Sequence, residues 1–228
     1  YNFTDRFTGS GRLGFFNDTD GFGSTIKSMW AMWGNRVFTW YALVNFTSYA
    51  LMFVYLGTCS LTIQVELGAP PWVAAVAFAV NGAGIVFSGI FAAWLAKRWS
   101  SVAIVFLSVA GQVAGILFLA FTVATSSLNI ISIFVIYLVI CFSLGISFGA
   151  VTSLALTHVR KTSGTALGLL GLVQFIIAAA TSVFVGTINP SPAMSMLIIG
   201  GAVVAIAVVT SLGGAAAIKR DPDLEPAH

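Results

Sequence analysis

The chain has 228 residues, of which 58% are hydrophobic and only 7% charged, with a formal net charge of +3. Soluble domains carry about a quarter charged residues, so the composition excludes an ordinary soluble fold and predicts an all-α integral membrane protein. The excess positive charge lies between apolar stretches rather than in one basic patch, which makes it a topology signal and argues against nucleic-acid binding.

Tyr1 to Gly23 is rich in Gly, Asp, Asn, Thr and Phe without periodicity, and residues 1–24 read as a linker. It has no apolar core of the secretory-signal kind, and the chain starts at Tyr1 rather than Met, as a processed product or a fragment of a longer reading frame would. Ser24 can cap a helix in which Ile26, Met29, Trp30, Trp33 and Val37 share one face. That stripe suits a helix lying in the headgroup region, and equally a cytoplasmic extension of the first span.

Six spans are expected, at about residues 38–63, 70–95, 102–124, 130–157, 162–188 and 192–218, within a domain of residues 25–218 that precedes a tail of residues 219–228. Each is near or above the roughly 20 residues a helix needs to cross a bilayer. Pro70-Pro71 opens the second span, Thr162 or Ser163 caps the fifth, and Pro192 opens the sixth. Short connections make successive helices antiparallel. Trp40, Trp72, Trp94 and Trp99 fall near span ends, where indole favours the membrane–water boundary.

All ten Lys and Arg residues sit before the first span or in alternate connections: Arg6, Arg12, Lys27 and Arg36, then Lys97 and Arg98, Arg160 and Lys161, and Lys219 and Arg220. The other connections carry Glu66 as their only charge. Basic loops are retained in the cytoplasm, so a multi-pass chain with both termini cytoplasmic is expected. No Lys, Arg, Asp, Glu or His lies inside a span. A charge at a helix centre costs about 2.5 to 3.5 kcal/mol on insertion scales and is kept mainly for function, so ion coupling through a membrane carboxylate has no place on these residues.

Small residues recur at helical spacing. Asn81, Gly84 and Ser88, with Gly89 beside them, mark one face of the second span, and Gly145 and Gly149 mark one of the fourth. Gly164, Gly168 and Gly171 begin a longer stripe in the fifth that continues through Phe175, Ala178 and Ser182. Such patterns argue close helix packing before any ligand role. A second set mixes polar and aromatic groups: Asn45, Tyr49, Met52 and Phe53 in the first span, Tyr137, Cys141 and Ser147 in the fourth, and Gln174 in the fifth. Asn45, Tyr49, Phe53, Tyr137, Cys141 and Gln174 are the candidates for lining a water-accessible cavity suited to an amphipathic molecule; ordinary interhelical hydrogen bonding is the alternative. The third and sixth spans hold little beyond Gln112 and a few hydroxyls and are expected to face lipid.

Enzymatic readings fail on residue types. An intramembrane serine protease needs Ser and His together at membrane depth, whereas His158 lies in a basic loop and His228 is the last residue. Membrane metalloproteases and haem carriers need Asp, Glu or His within the spans. Cys59 and Cys141 offer neither metal spacing nor a disulfide framework. The expectation is a non-enzyme with no cofactor and no bound metal.

Three stretches resemble the C-terminal half of major facilitator transporters, of the bicyclomycin and chloramphenicol resistance type of drug:proton antiporter. They are Asn35-Arg36-Val37-Phe38 leading to Tyr41-Ala42-Leu43, then Phe78-Ala79-Val80-Asn81-Gly82-Ala83-Gly84, and Ser163-Gly164-Thr165-Ala166-Leu167-Gly168-Leu169-Leu170-Gly171-Leu172-Val173-Gln174. The likeness runs from about Thr25 to Lys219. It implies spans seven to twelve of a twelve-span exporter in a bacterial cytoplasmic membrane, made of two inverted three-helix repeats. The first and fourth spans would face a central cavity, and the second and fifth would pack on an N-terminal six-helix half. The implied substrates are small amphipathic compounds exchanged for protons. The Leu95-Ala96-Lys97-Arg98-Trp99 loop departs from the family's loop signature by lacking its Asp and Gly. A membrane scaffold subunit, or a six-span carrier acting as a homodimer, are the alternative readings.

Overall fold

The computed structural model describes residues 36–157, 163–187 and 191–220. The expected linker, the headgroup stripe at Ile26–Trp33, the loop cations Arg160 and Lys161, and the tail beyond Arg220 lie outside the described residues.

The described chain is all-helical. It comprises α1 (Arg36–Leu61, continued by a π-helical turn Thr62–Glu66), α2 (Pro71–Leu95), α3 (Ser101–Ala124), α4 (Ile130–Thr157), α5 (Ser163–Thr187) and α6. The last is built from Pro192–Ser195, a π-helical turn Met196–Gly200, and Gly201–Arg220. Five stretches are long and apolar enough to cross a membrane: Phe38–Glu66, Pro71–Leu95, Ser101–Ala124, Ile130–Val151 and Pro192–Ile218. The described side chains of α5 add a shorter apolar stretch, Leu170–Val183. The outer surface displays Phe87, Ile90, Leu117, Phe121, Ile131, Val183 and Val209. A surface this apolar suits hydrocarbon, where backbone groups must be satisfied within each helix.

Local chemistry sets the helix ends. Pro71 occupies the first turn of α2, where its missing N–H costs nothing. Ser100 caps α3 by accepting from the Ala103 amide at 3.3 Å. Asn129 and Ser132 bond reciprocally at the start of α4, each side chain accepting from the other's amide at 2.9 and 3.0 Å. Gly68 takes φ +63° where the chain leaves α1, a left-handed turn that glycine adopts without a Cβ penalty. Ser126 holds φ 51° at the corresponding point after α3.

Two helices organise the bundle. α1 packs on α5, α6 and α4, while α4 packs on α2, α3 and α1, and α3 also meets α6. The consecutive pairs α1–α2 and α4–α5 touch only slightly. Exchanging α1, α2 and α3 with α4, α5 and α6 maps this pattern onto itself. Each unit holds an odd number of alternating helices, so α1 and α4 run in opposite directions. Ser48 of α1 accordingly meets Ser147 of α4 at 2.9 Å, and Thr58 and Thr62, further along α1, meet the Tyr137 hydroxyl at 3.4 Å each.

The third span is more than a lipid-facing helix. One side of α3 buries Ser108, Gln112, Gly115 and Thr122 against its neighbours, while Leu117 and Phe121 look outward. In α6, Thr210 and Ser211 are likewise buried, their hydroxyls donating to carbonyls of the preceding turn. Hydroxyls satisfied within their own helix cost little to bury, so composition alone made these helices look fit for lipid on every side.

Candidate functional site

The polar and aromatic candidates divide into two sets. Asn45, Tyr137 and Cys141 are buried in the bundle interior. The Tyr137 ring lies edge-on to Tyr55, with centroids 5.1 Å apart, and its hydroxyl reaches Thr58 and Thr62. Asn81 donates from Nδ2 to the Tyr55 hydroxyl at 3.0 Å, tying α2 to α1. Cys59 and Cys141 are fully buried free thiols beside this group. These contacts join α1, α2 and α4 through side chains, each interhelical hydrogen bond in a membrane contributing about 0.6 kcal/mol.

Tyr49, Phe53 and Gln174 form the other set, half-buried at the bundle surface. Tyr49 and Phe53 are one turn apart on α1. The Tyr49 ring tilts over Phe148 of α4 with centroids 4.7 Å apart, and Phe53 meets the edge of Phe175 of α5 at 6.5 Å. Phe175, next to Gln174, is 59% exposed. Two ring pairs, Tyr49 with Phe148 and Phe53 with Phe175, thus place partly exposed aromatic side chains of α1, α4 and α5 near one another. Sequence reasoning had placed Phe175 only in the packing stripe and passed over Phe148, although each adjoins a residue it had marked, Gln174 and Ser147.

Among the described residues these rings have no Lys, Arg, His, Asp or Glu beside them in a ring contact. Such rings can stack on a flat apolar body while the Tyr49 hydroxyl offers a polar contact. Among the described residues there is no cluster of His, Cys, Asp or Glu able to hold a metal ion.

The small residues divide as well. Gly84 lies under Leu138 of α4, and Gly145 faces Ser88 and the backbone of Ile85 on α2. Gly149, Gly168 and Gly171 have no described atom within reach of a Cβ. Gly164 sits in the first turn of α5, where neighbouring side chains lie outside the described residues. Gly84 and Gly145 therefore pack closely as their spacing suggests, and two α3 glycines outside those stripes do so as well. Gly111 lies against Ser143, and Gly115 against Ile140. Lys97 and Arg98 are exposed in the turn joining α2 to α3, with the Arg98 guanidinium 5.5 Å from the centroid of the Trp94 ring.

At the other end of the bundle, Glu66 bridges two helices. Its carboxylate accepts from the Ser191 hydroxyl at 2.9 Å and from the Ala193 amide at 3.0 Å. It thereby joins the π-helical end of α1 to the N-terminus of α6, where helix polarity favours an anion.

Comparison with known proteins found no matching family model, no matching curated protein and no matching solved structure.

Proposed function

We propose that the chain is one half of a secondary transporter of the major facilitator type, and that the aromatic face shared by α1, α4 and α5 is one wall of its substrate cavity. The observation that carries this reading is the composition of that face: Tyr49, Phe53, Phe148 and Phe175 meet across three helices and remain partly exposed. A helix dissolved in lipid has no need to gather a phenol and paired rings on one side. The helix pairing adds support, since two inverted three-helix repeats would give the exchange pattern of the bundle.

On this reading an N-terminal six-helix half supplies the opposite wall and the proton-coupling groups. Among the described residues the only carboxylate is Glu66, the last residue of the first membrane-crossing stretch and so at its end rather than its middle. The substrates are small amphipathic organic molecules, exported across a bacterial cytoplasmic membrane against proton entry, with both termini cytoplasmic. Asn45, Tyr137 and Cys141 serve as the packed support behind the wall, and Tyr49, Phe53 and Gln174 as its contact surface.

The test is co-expression with an N-terminal six-span partner in cells loaded with a fluorescent amphipathic dye. Efflux should appear only with both halves and should fall when Tyr49 or Phe53 is replaced by alanine. Cysteines introduced at positions 49, 53 and 174 should react with an impermeant maleimide, and one at position 45 should not. Absence of efflux with every partner, together with inert cysteines at 49 and 53, would refute the proposal.

A further inference from the structure

A second feature, independent of the transport reading, lies on the other side of α4. A groove of about 620 Å³ runs between α2 and α4, lined by Val80, Ala83, Gly84 and Phe87 on one side and by Leu138 and Phe142 among the α4 residues on the other. Val139 and Phe142 lie on the side of α4 turned away from Tyr137 and Ser147, which face α1, so the groove opens outward. Its walls are almost wholly apolar.

The groove has a charged end. Val80, Phe87, Phe91 and Trp94 succeed one another at helical spacing along α2, and Arg98 follows in the turn after it. Phe91 stacks on Trp94 with centroids 5.8 Å apart and meets Phe142 of the groove at 5.9 Å. Arg98 then lies over Trp94. At about 1.5 Å of rise per residue, Phe87 is roughly 16 Å from Arg98, close to the roughly 15 Å of one leaflet's hydrocarbon. Neither Arg98 nor the adjacent Lys97 has a carboxylate to pair with among the described residues, because Glu66 sits at the opposite end of the bundle. The turn of residues 96–100 contains no acid either.

We propose that this lane is a binding site for an anionic phospholipid. Its phosphate is held by Arg98 and Lys97, its glycerol region rests at Trp94, and one acyl chain passes Phe91 into the α2–α4 groove. The charge complementarity selects the headgroup, since a basic site at a membrane surface favours an anionic lipid. The groove selects a flexible chain. The aromatic belt residue sits where the two meet.

The test uses the purified full chain exchanged into mixed micelles holding equal parts of phosphatidylglycerol and phosphatidylcholine, then re-isolated, with retained lipid quantified by mass spectrometry. The wild type should retain phosphatidylglycerol over phosphatidylcholine by about fivefold, the effect of roughly one cationic contact. Arg98→Gln should lower the ratio, and Lys97→Gln together with Arg98→Gln should bring it near one. Arg36→Gln, a cation away from the groove, should leave it unchanged. Ala83→Phe, which fills the groove, should lower retention of both lipids, with Val139→Phe as the second filling variant should the first not fold. A wild-type ratio near one, an equal loss in Arg36→Gln, or full retention in a folded groove-filled variant would each overturn the proposal. So would cross-linking through a cysteine at position 87 to a second copy of the chain, since the groove would then be a protein interface.

Discussion

Replacing Gly145 with alanine places a methyl group into the tightest described contact between α2 and α4. The new Cβ would lie 2.5 Å from the Ile85 carbonyl oxygen and 3.1 Å from the Ile85 Cα, and closer still to the Ser88 hydroxyl. A hydroxyl can rotate aside, but a helical backbone cannot move without shifting α2 as a body. Overpacking of this kind costs about 1–3 kcal/mol, and a backbone obstacle places Gly145→Ala toward the upper end. Gly149→Ala is the matched control, one turn along the same helix, where a Cβ meets no described atom within 4 Å. Both variants gain the same helix propensity, about 1 kcal/mol, so their difference isolates the steric cost. Unfolding of the purified full chain in detergent, by temperature or by titration with a denaturing surfactant, should show Gly149→Ala unchanged or more stable and Gly145→Ala less stable by about 2–3 kcal/mol relative to it. Adding Ser88→Ala should recover only part of the loss, because the Ile85 backbone stays in place. Two alanine variants within about 0.5 kcal/mol of each other, the range of substitutions at unconstrained sites, would show that α2 does not press on Gly145.

Three further outcomes follow from described contacts. Glu66→Ala removes the acceptor for both the Ser191 hydroxyl and the Ala193 amide, and should cost about 1 kcal/mol in the same unfolding assay, since solvent weakens hydrogen bonds to a charge at an exposed site; Glu66→Gln should fall between, and a wild-type midpoint for the alanine variant would show that the bridge contributes nothing. Gln112 is fully buried in α3 with neither amide atom paired among the described residues, so Gln112→Leu should be neutral or stabilising by about 1–2 kcal/mol, and a loss of similar size would mean the amide has a partner. Ser126→Gly should stabilise by about 0.5–1 kcal/mol, because the left-handed backbone there carries a Cβ penalty that glycine lacks; a lower unfolding midpoint would count against that strain.

The amino-acid sequence determined the class of this protein. Its apolar stretches, the Pro and Ser residues at their starts, and the near absence of charge within them require helices in hydrocarbon, since no other local structure satisfies the backbone there. It did not determine azimuth, the direction in which each helix presents its faces. Spacing of small residues marks a stripe but not the neighbour it meets, so Gly145 and Gly149 read alike although only Gly145 has α2 against it. The same limit joined Asn45, Tyr49 and Phe53 as one polar face. Two residues that share a broad stripe can still differ by enough rotation for one to point between α1 and its neighbours and the others outward. Tertiary packing made that decision, burying Asn45, Tyr137 and Cys141 and leaving Tyr49, Phe53 and Gln174 at the surface. The physical reason is that burial depends on which helices pack against α1 and α4, a property of the whole bundle that no single helix carries in its own periodicity.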